Sequence, residues 1–229
     1  VDAPCRFVCG NYSSQIKPRK TVQPSRPNWT PVERKAAFIL GGIAACESVW
    51  VVVNMAGRAA RFWRYTGFTA PGLPGAIGWT AGLVLAAAFV AYAARLPSVR
   101  QTLVSISMLK LLGVAVAFSA SLCEESVFRK LLMNSMSAHG YSVLLQVVAS
   151  ALAFGVVHGI WGIMGGNLRA AVGAIVATGT LGALLACVFL ASHRNLAPCV
   201  VAHFLIDALA EPGLVLAGLR GEMGRPRRD

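Results

Sequence analysis

The chain has 229 residues, 56% of them hydrophobic and only 13% charged, whereas a soluble domain carries about a quarter charged residues. That deficit, together with long apolar runs, excludes an ordinary soluble domain and points to a membrane protein. The net charge of +12 gathers at the ends: Arg6, Lys17, Arg19, Lys20, Arg26, Arg34 and Lys35 lie in the first 35 positions, and Arg220, Arg225, Arg227 and Arg228 close the chain. Basic ends on an apolar body suit cytoplasmic flanks beside anionic lipid, and no aromatic–basic interleaving or reader motif accompanies them, which argues against a nucleic-acid partner.

Residues 1–35 hold five prolines and no periodic apolar face, so they are predicted to form a flexible, basic cytoplasmic tail. They carry no secretory signal pattern. The C-x3-C pair Cys5 and Cys9 has no second pair or nearby His, which makes it a poor zinc motif. Residues 36–57 are long enough to span, with Glu47 as their one acid. A basic, aromatic stretch follows, in which Trp63 and Tyr65 would anchor at the interface.

Residues 73–94 form the cleanest span. Residues 96–136 are too long for one upright span of about 20 residues and read as an amphipathic lead-in, a span and a continuation. Residues 141–166, 168–191 and 196–219 complete a set of about six spans, followed by a basic tail at 220–229. Apolar runs this long without period-two alternation exclude a barrel. The expected fold is therefore an all-α membrane protein: a polytopic bundle of about six transmembrane helices over 36–219, enclosing a polar cavity. An even number of spans with basic tails places both termini on the cytoplasmic face, although Arg58, Arg61 and Arg64 then fall on the far side. Cys46, Cys123, Cys187 and Cys199 sit in apolar runs, where free Cys behaves as a small hydrophobe.

Of nine acids, Asp2, Glu33, Glu222 and Asp229 lie in the tails. Glu47, Glu124, Glu125, Asp207 and Glu211, with His158 and His203, lie in or beside spans. An ionisable side chain at the bilayer centre costs roughly 2.5–3.5 kcal/mol on insertion scales, so such residues face the bundle interior, pair, and carry function. Glu125 and Arg129 are four apart and share a helix face. Glu124 is five from Arg129 and rotated away at about 100° per residue. The expected pair is thus Glu125–Arg129, with Glu124 left to point into the bundle. Phe154 and His158 are again four apart, as are His203 and Asp207. A carboxylate and two imidazoles from three helices can activate water, either as bases or by holding a zinc ion. Read singly, each His is equally well a helix–helix hydrogen-bonding residue. Glu47 has no surrounding motif and stays unassigned, Glu211 before Pro212 marks a helix break, and His139 and His193 are expected in solvated loops.

In chain order, "EESVFR" matches E-E-x-x-x-R, "FGVVH" matches F-x-x-x-H, and "HFLID" matches H-x-x-x-N/D. Over residues 103–215 the chain thus resembles the CAAX prenyl protease and bacteriocin-processing family of intramembrane proteases. The resemblance implies a glutamate-dependent endopeptidase with Glu124 as the base that activates water. It implies that His158 holds that water or the reacting carbonyl, that His203 and Asp207 polarise the carbonyl oxygen, and that Glu125 and Arg129 form a supporting ion pair. Two positions depart from the family pattern. Trp161 stands where the prenyl branch often has a further His, and Asp207 stands where the third motif often ends in Asn. An Asn amide donates to an oxyanion and an ionised Asp does not, so Asp207 is protonated, orients His203 or binds a cation.

Both departures favour the non-prenyl branch, in the plasma membrane of a bacterium. The implied substrate is a peptide or membrane-protein segment beside lipid. The implied cofactor is none, or a zinc ion on Glu124, His158 and His203. Two rivals stay open: a non-catalytic scaffold or self-immunity protein of the same fold, and a small transporter or proton relay built on the same buried groups.

Overall fold

A computed structural model describes residues 29–69, 75–160 and 168–223. Most of the N-terminal tail with Cys5 and Cys9, the last six residues, and Trp161 lie outside the described residues. Among those described there are only helices. In chain order they are α1 (Pro31–Met55), α2 (Ala59–Tyr65), α3 (Ala76–Ala93), α4 (Pro97–Leu103), α5 (Met108–Glu125), a π-helix (Ser126–Met133), α6 (Asn134–Ala138), α7 (Val143–His158), α8 (Leu168–Ala191) and α9 (Ala197–Leu219). Five helical stretches are long and apolar enough to cross a membrane: α1, α3, the continuous run Met108–Ala138, α8 and α9. The sixth expected span is represented by α7, whose 16 described residues are apolar but short.

The helix starts follow local chemistry. Thr30 and Glu33 form a capping box on α1, with Pro31 in the first turn, so backbone donors that a helix start leaves open are satisfied. Ser107 and Ser142 cap α5 and α7 by accepting from Lys110 N and Leu145 N. α9 begins at Ala197–Pro198, and its first amide donates to Asn195 Oδ1 at 2.9 Å. Chain reversal before α9 uses His193 and Arg194, both at positive φ. Arg194 spans the junction, donating to Asn134 Oδ1 at 2.8 Å and to Gln146 Oε1 at 2.7 Å.

The helices alternate in direction. Ala36 and Leu40 at the start of α1 cluster with Leu109 on α5 and with Val215 and Leu216 near the end of α9. Both ends of the described chain therefore lie at one face of the bundle. Val51, Phe62, Phe189 and Leu196 cluster toward the other. That second face carries α2, whose Arg58, Arg61 and Arg64 are exposed while Phe62 is buried against Trp50 and Trp63. At the first face, Glu222 accepts from Ser98 N at 3.1 Å and from Ser98 Oγ at 2.6 Å, and Arg220 donates to the same hydroxyl. The end of α9 is thereby tied to the start of α4.

The burial pattern inverts that of a soluble protein. Phe38, Ile77, Leu144 and Val176 are more than half exposed, while Glu125, Arg129, Gln146, Ser150 and His203 are buried. Apolar side chains turned out and ionisable ones turned in suit lipid as the solvent.

Small residues bring the helices together. Glycines on α7 and α8 meet back to back: a Cβ on Gly155 would stand 2.7 Å from Ile175 O and 3.0 Å from Gly179 Cα. Gly182 seats the Phe154 ring, and Gly113 on α5 receives the ring of Pro212 from α9. Such close approach substitutes for the hydrophobic driving force that lipid removes. Pro212 lies inside α9, which runs on unbroken to Leu219, so the helix break expected at Glu211 is corrected; Lys110 Nζ donates to Leu209 O at 2.9 Å one turn before the proline.

This packing predicts an asymmetry among glycines. Gly155→Ala forces α7 and α8 apart and costs about 1–3 kcal/mol, read as a lowered thermal midpoint in detergent. Gly173→Ala meets nothing within 4 Å and leaves the midpoint unchanged or raises it, since Ala is the better helix former. Equal effects of the two substitutions would contradict this packing.

Candidate active site

The "CEES" stretch lies deep in the Met108–Ala138 run, where the helix changes form. Glu124 and Glu125 end α5, and the backbone then widens into the π-helix. π-turns are rare and recur at functional sites. Sequence spacing assumed a regular α-helix through Arg129, so the π segment is a correction to that reading. Its backbone is supported from α7, where buried Ser150 donates its hydroxyl to Phe128 O at 3.0 Å. The i,i+4 contact survives: Arg129 Nη1 stands 3.0 Å from Glu125 Oε1, and both side chains are fully buried.

Glu125 does more than pair with Arg129. The same Oε1 lies 2.7 Å from His203 Nδ1 on α9. His203 Nε2, at the opposite side of the ring, lies 3.1 Å from Asp207 Oδ2 and 3.8 Å from Glu124 Oε2. Both ring nitrogens thus face carboxylate oxygens, an environment that suits an imidazolium donating at both positions. Asp207 faces His203 Nε2, the geometry that the orienting alternative for this residue requires.

His158 ends α7. Its Nδ1 lies 2.8 Å from Phe154 O. A carbonyl only accepts, so Nδ1 carries the hydrogen, and a neutral His158 presents the Nε2 lone pair. That nitrogen is 3.7 Å from Glu124 Oε2. Glu124 therefore faces imidazoles from two other helices, and its Oε2 is buried with no hydrogen-bond partner among the described residues. Its side chain keeps 19% exposure, against none for Glu125. The two adjacent glutamates occupy different environments: one locked in an ion pair, the other partly exposed and facing two imidazoles.

Phe154 holds these parts together. Its ring carries the Arg129 guanidinium at 4.4 Å, lies 4.3 Å from the His158 ring, and meets the His203 and Phe128 rings edge-on at 5.7 and 5.3 Å. A cation over an aromatic face is favourable, more so when desolvated. Sequence reading included Phe154 only as the first letter of a motif. It also left Glu47 unassigned and read Glu211 only as the mark of a helix break, yet both lie within electrostatic reach of Glu124, Asp207 and His203. Their one signal was an acid inside an apolar span.

The zinc alternative can be tested on the donor set. Among the described residues, no group of three or more His, Cys, Asp or Glu side chains is disposed to hold a metal ion. The His203 Nε2 that such an ion needs as a lone pair is engaged by Asp207, and zinc takes its nitrogen ligands at about 2.0–2.1 Å. Glu124, His158 and His203 as placed do not fit the expected zinc set, and no step below runs through a metal.

The Glu125–Arg129 pair is set among apolar and aromatic groups. Arg129→Met leaves a buried carboxylate paired only with His203 and lowers stability by about 3–5 kcal/mol. Arg129→Lys keeps the charge but loses the flat face on Phe154, and falls between Met and wild type in a thermal-unfolding series.

Neither curated proteins nor solved structures give a match. Residues 106–209 match the family described as type II CAAX prenyl endopeptidase, Rce1-like. The match encloses Glu124, Glu125, Arg129, Phe154, His158, His203 and Asp207 and excludes α1 with Glu47. Its description names the prenyl-protease branch, whereas the departures at Trp161 and Asp207 had pointed to the non-prenyl one. The match and the three ordered motifs coincide on the same helices, and over residues 106–209 this chain is similar to that family.

Proposed function

We propose that the chain is an intramembrane endopeptidase in which Glu124 activates water for attack on a peptide carbonyl. The observation that carries this reading is the position of Glu124 Oε2, 3.7 Å from His158 Nε2 and 3.8 Å from His203 Nε2. The similarity of residues 106–209 to that protease family supports peptidase chemistry within a membrane. The polar interior and lipid-suited exterior support a substrate that reaches the site from or beside the bilayer.

The hydrogen-bonding character of the groups supports the following roles. A Glu124 carboxylate and the His158 Nε2 lone pair are both acceptors, and they face one another. Water carries two hydrogens and can donate to both, which orients an oxygen lone pair outward. As that oxygen bonds to the carbonyl carbon, Glu124 takes one of its protons, and the carbonyl π electrons move to oxygen. His203, with hydrogens on both nitrogens and a carboxylate at each, places positive charge beside the developing oxyanion. Asp207 and Glu125 fix the ring's orientation. Collapse of the tetrahedral intermediate breaks the C–N bond. Glu124 returns the proton to the leaving nitrogen, and a carboxylic acid and an amine result, which pass the remaining proton between them to give carboxylate and ammonium.

Two outcomes test this with purified protein and a set of fluorogenic apolar peptides. Glu124→Gln keeps size and hydrogen bonding but cannot take a proton, so kcat falls about 10²–10⁴-fold, the range for general-base loss, with little change in KM. Undiminished cleavage by that variant would sink the mechanism and favour a scaffold role. Asp207→Asn still offers an oxygen to His203 Nε2, so it keeps activity within roughly tenfold. Asp207→Leu removes the acceptor and loses far more. Indistinguishable Asn and Leu variants would remove Asp207 from the orienting role.

A further inference from the structure

α1 contributes an acid that the chemistry above does not use. Glu47 sits beyond the middle of α1, and its Oε2 is 3.1 Å from the Ser119 hydroxyl on α5. That hydroxyl has one hydrogen and three acceptors in reach, since Val116 O and Ala115 O lie at 3.1 and 3.3 Å. Most of the acceptor capacity of Glu47 is therefore open.

On α9, His203, Asp207 and Glu211 follow at four-residue intervals and so share one helix face. Glu211 Oε2 is buried and has no hydrogen-bond partner among the described residues. Glu47, Glu124, Asp207 and Glu211, from three helices, act on one another electrostatically, with His203 the imidazole common to them. Nearby cations are committed elsewhere: Arg129 to Glu125, and the Lys110 ammonium to Leu209 O. Four carboxyls and one imidazole give this part of the bundle interior excess acid, and buried orphan acceptors call for a donor.

From this arrangement we infer that Glu47 and Glu211 form a subsite for a positively charged side chain, Lys or Arg, of the peptide substrate. The assignment deepens the peptidase reading and rests on it for the nature of the ligand. Glu211 supplies the buried acceptor and Glu47 the one from the facing helix. A neutral Gln still offers N–H donors but carries no charge, so the subsite discriminates charge more than size. The preference is a property of α1 and α9 together, and α1 lies outside the family-matched stretch.

The test uses the full chain in detergent and two dansyl-labelled apolar decapeptides that differ only by Lys or Gln at one central position. Binding is read by fluorescence anisotropy, which needs no turnover, and cleavage is followed in parallel. Wild type is expected to bind the Lys peptide about tenfold more tightly than the Gln peptide. Glu47→Gln and Glu211→Gln each bring that ratio to within about twofold, and Glu47→Asp, which keeps the charge, preserves it. Variants are compared only when monodisperse by size exclusion. No binding by wild type, equal binding of the two peptides, or a ratio that survives both Gln variants overturns the subsite. If the ratio behaves as expected while wild type and Glu124→Gln are equally inert toward both peptides, the peptidase reading falls and the subsite stands. If cleavage depends on Glu124 while the ratio is flat, the reverse holds.

Discussion

One carboxylate oxygen organises this bundle. Oε1 of Glu125 meets Arg129 on its own helix and His203 on α9, and nothing around it is open to water. A charge in such surroundings is tolerable only when it is paired and oriented, because desolvation costs several kcal/mol per ion. The requirement is local, but its geometric consequences reach across the molecule. Arg129 must lie flat over Phe154, which fixes α7. His203 must hold its ring edge toward α5, which fixes the rotation of α9. The positions of His158 and Glu124 follow from those two constraints.

Close helix contact makes that pairing geometrically possible. The glycines of α7 and α8, and Gly113 beneath Pro212, let backbones approach to distances at which short polar side chains reach across. The π-helix adds a wider turn directly after the two glutamates, and Ser150 supplies a hydroxyl to its backbone from the neighbouring helix. Stability and site geometry are thus tied: the contacts that keep α7 on α8 also set the distance from His158 to Glu124.

Much of this was legible in the sequence, unevenly and for physical reasons. Run length and the scarcity of charge are local properties, so the helical membrane class and most spans could be read directly. The Glu125–Arg129 contact was accessible because four-residue spacing is a property of one helix. The contact between Glu125 and His203 was not, since it depends on how two helices separated by 78 positions are rotated and how deeply each is set. The π segment was invisible because its residues, "SVFRKLLM", suit an α-helix equally well. Whether Glu124, His158 and His203 suit a metal turned on where lone pairs point, which spacing does not contain. Glu47 and Glu211 were conspicuous as acids in apolar runs but silent as to partners, because no motif framed them.

Pro212 divides α9 into halves with different attachments. Before it lie His203 and Asp207, gripped by α5. After it, the helix runs to Arg220 and Glu222, which are moored to Ser98 at the end of the bundle that carries both chain ends. A proline withholds the amide that would stitch the two halves into one stiff rod, and the Lys110 ammonium covers a carbonyl at the joint from outside the helix. The two halves are therefore joined by one backbone bond fewer, and the seating of Pro212 on Gly113 and of Gly213 on Val99 holds the joint in its place.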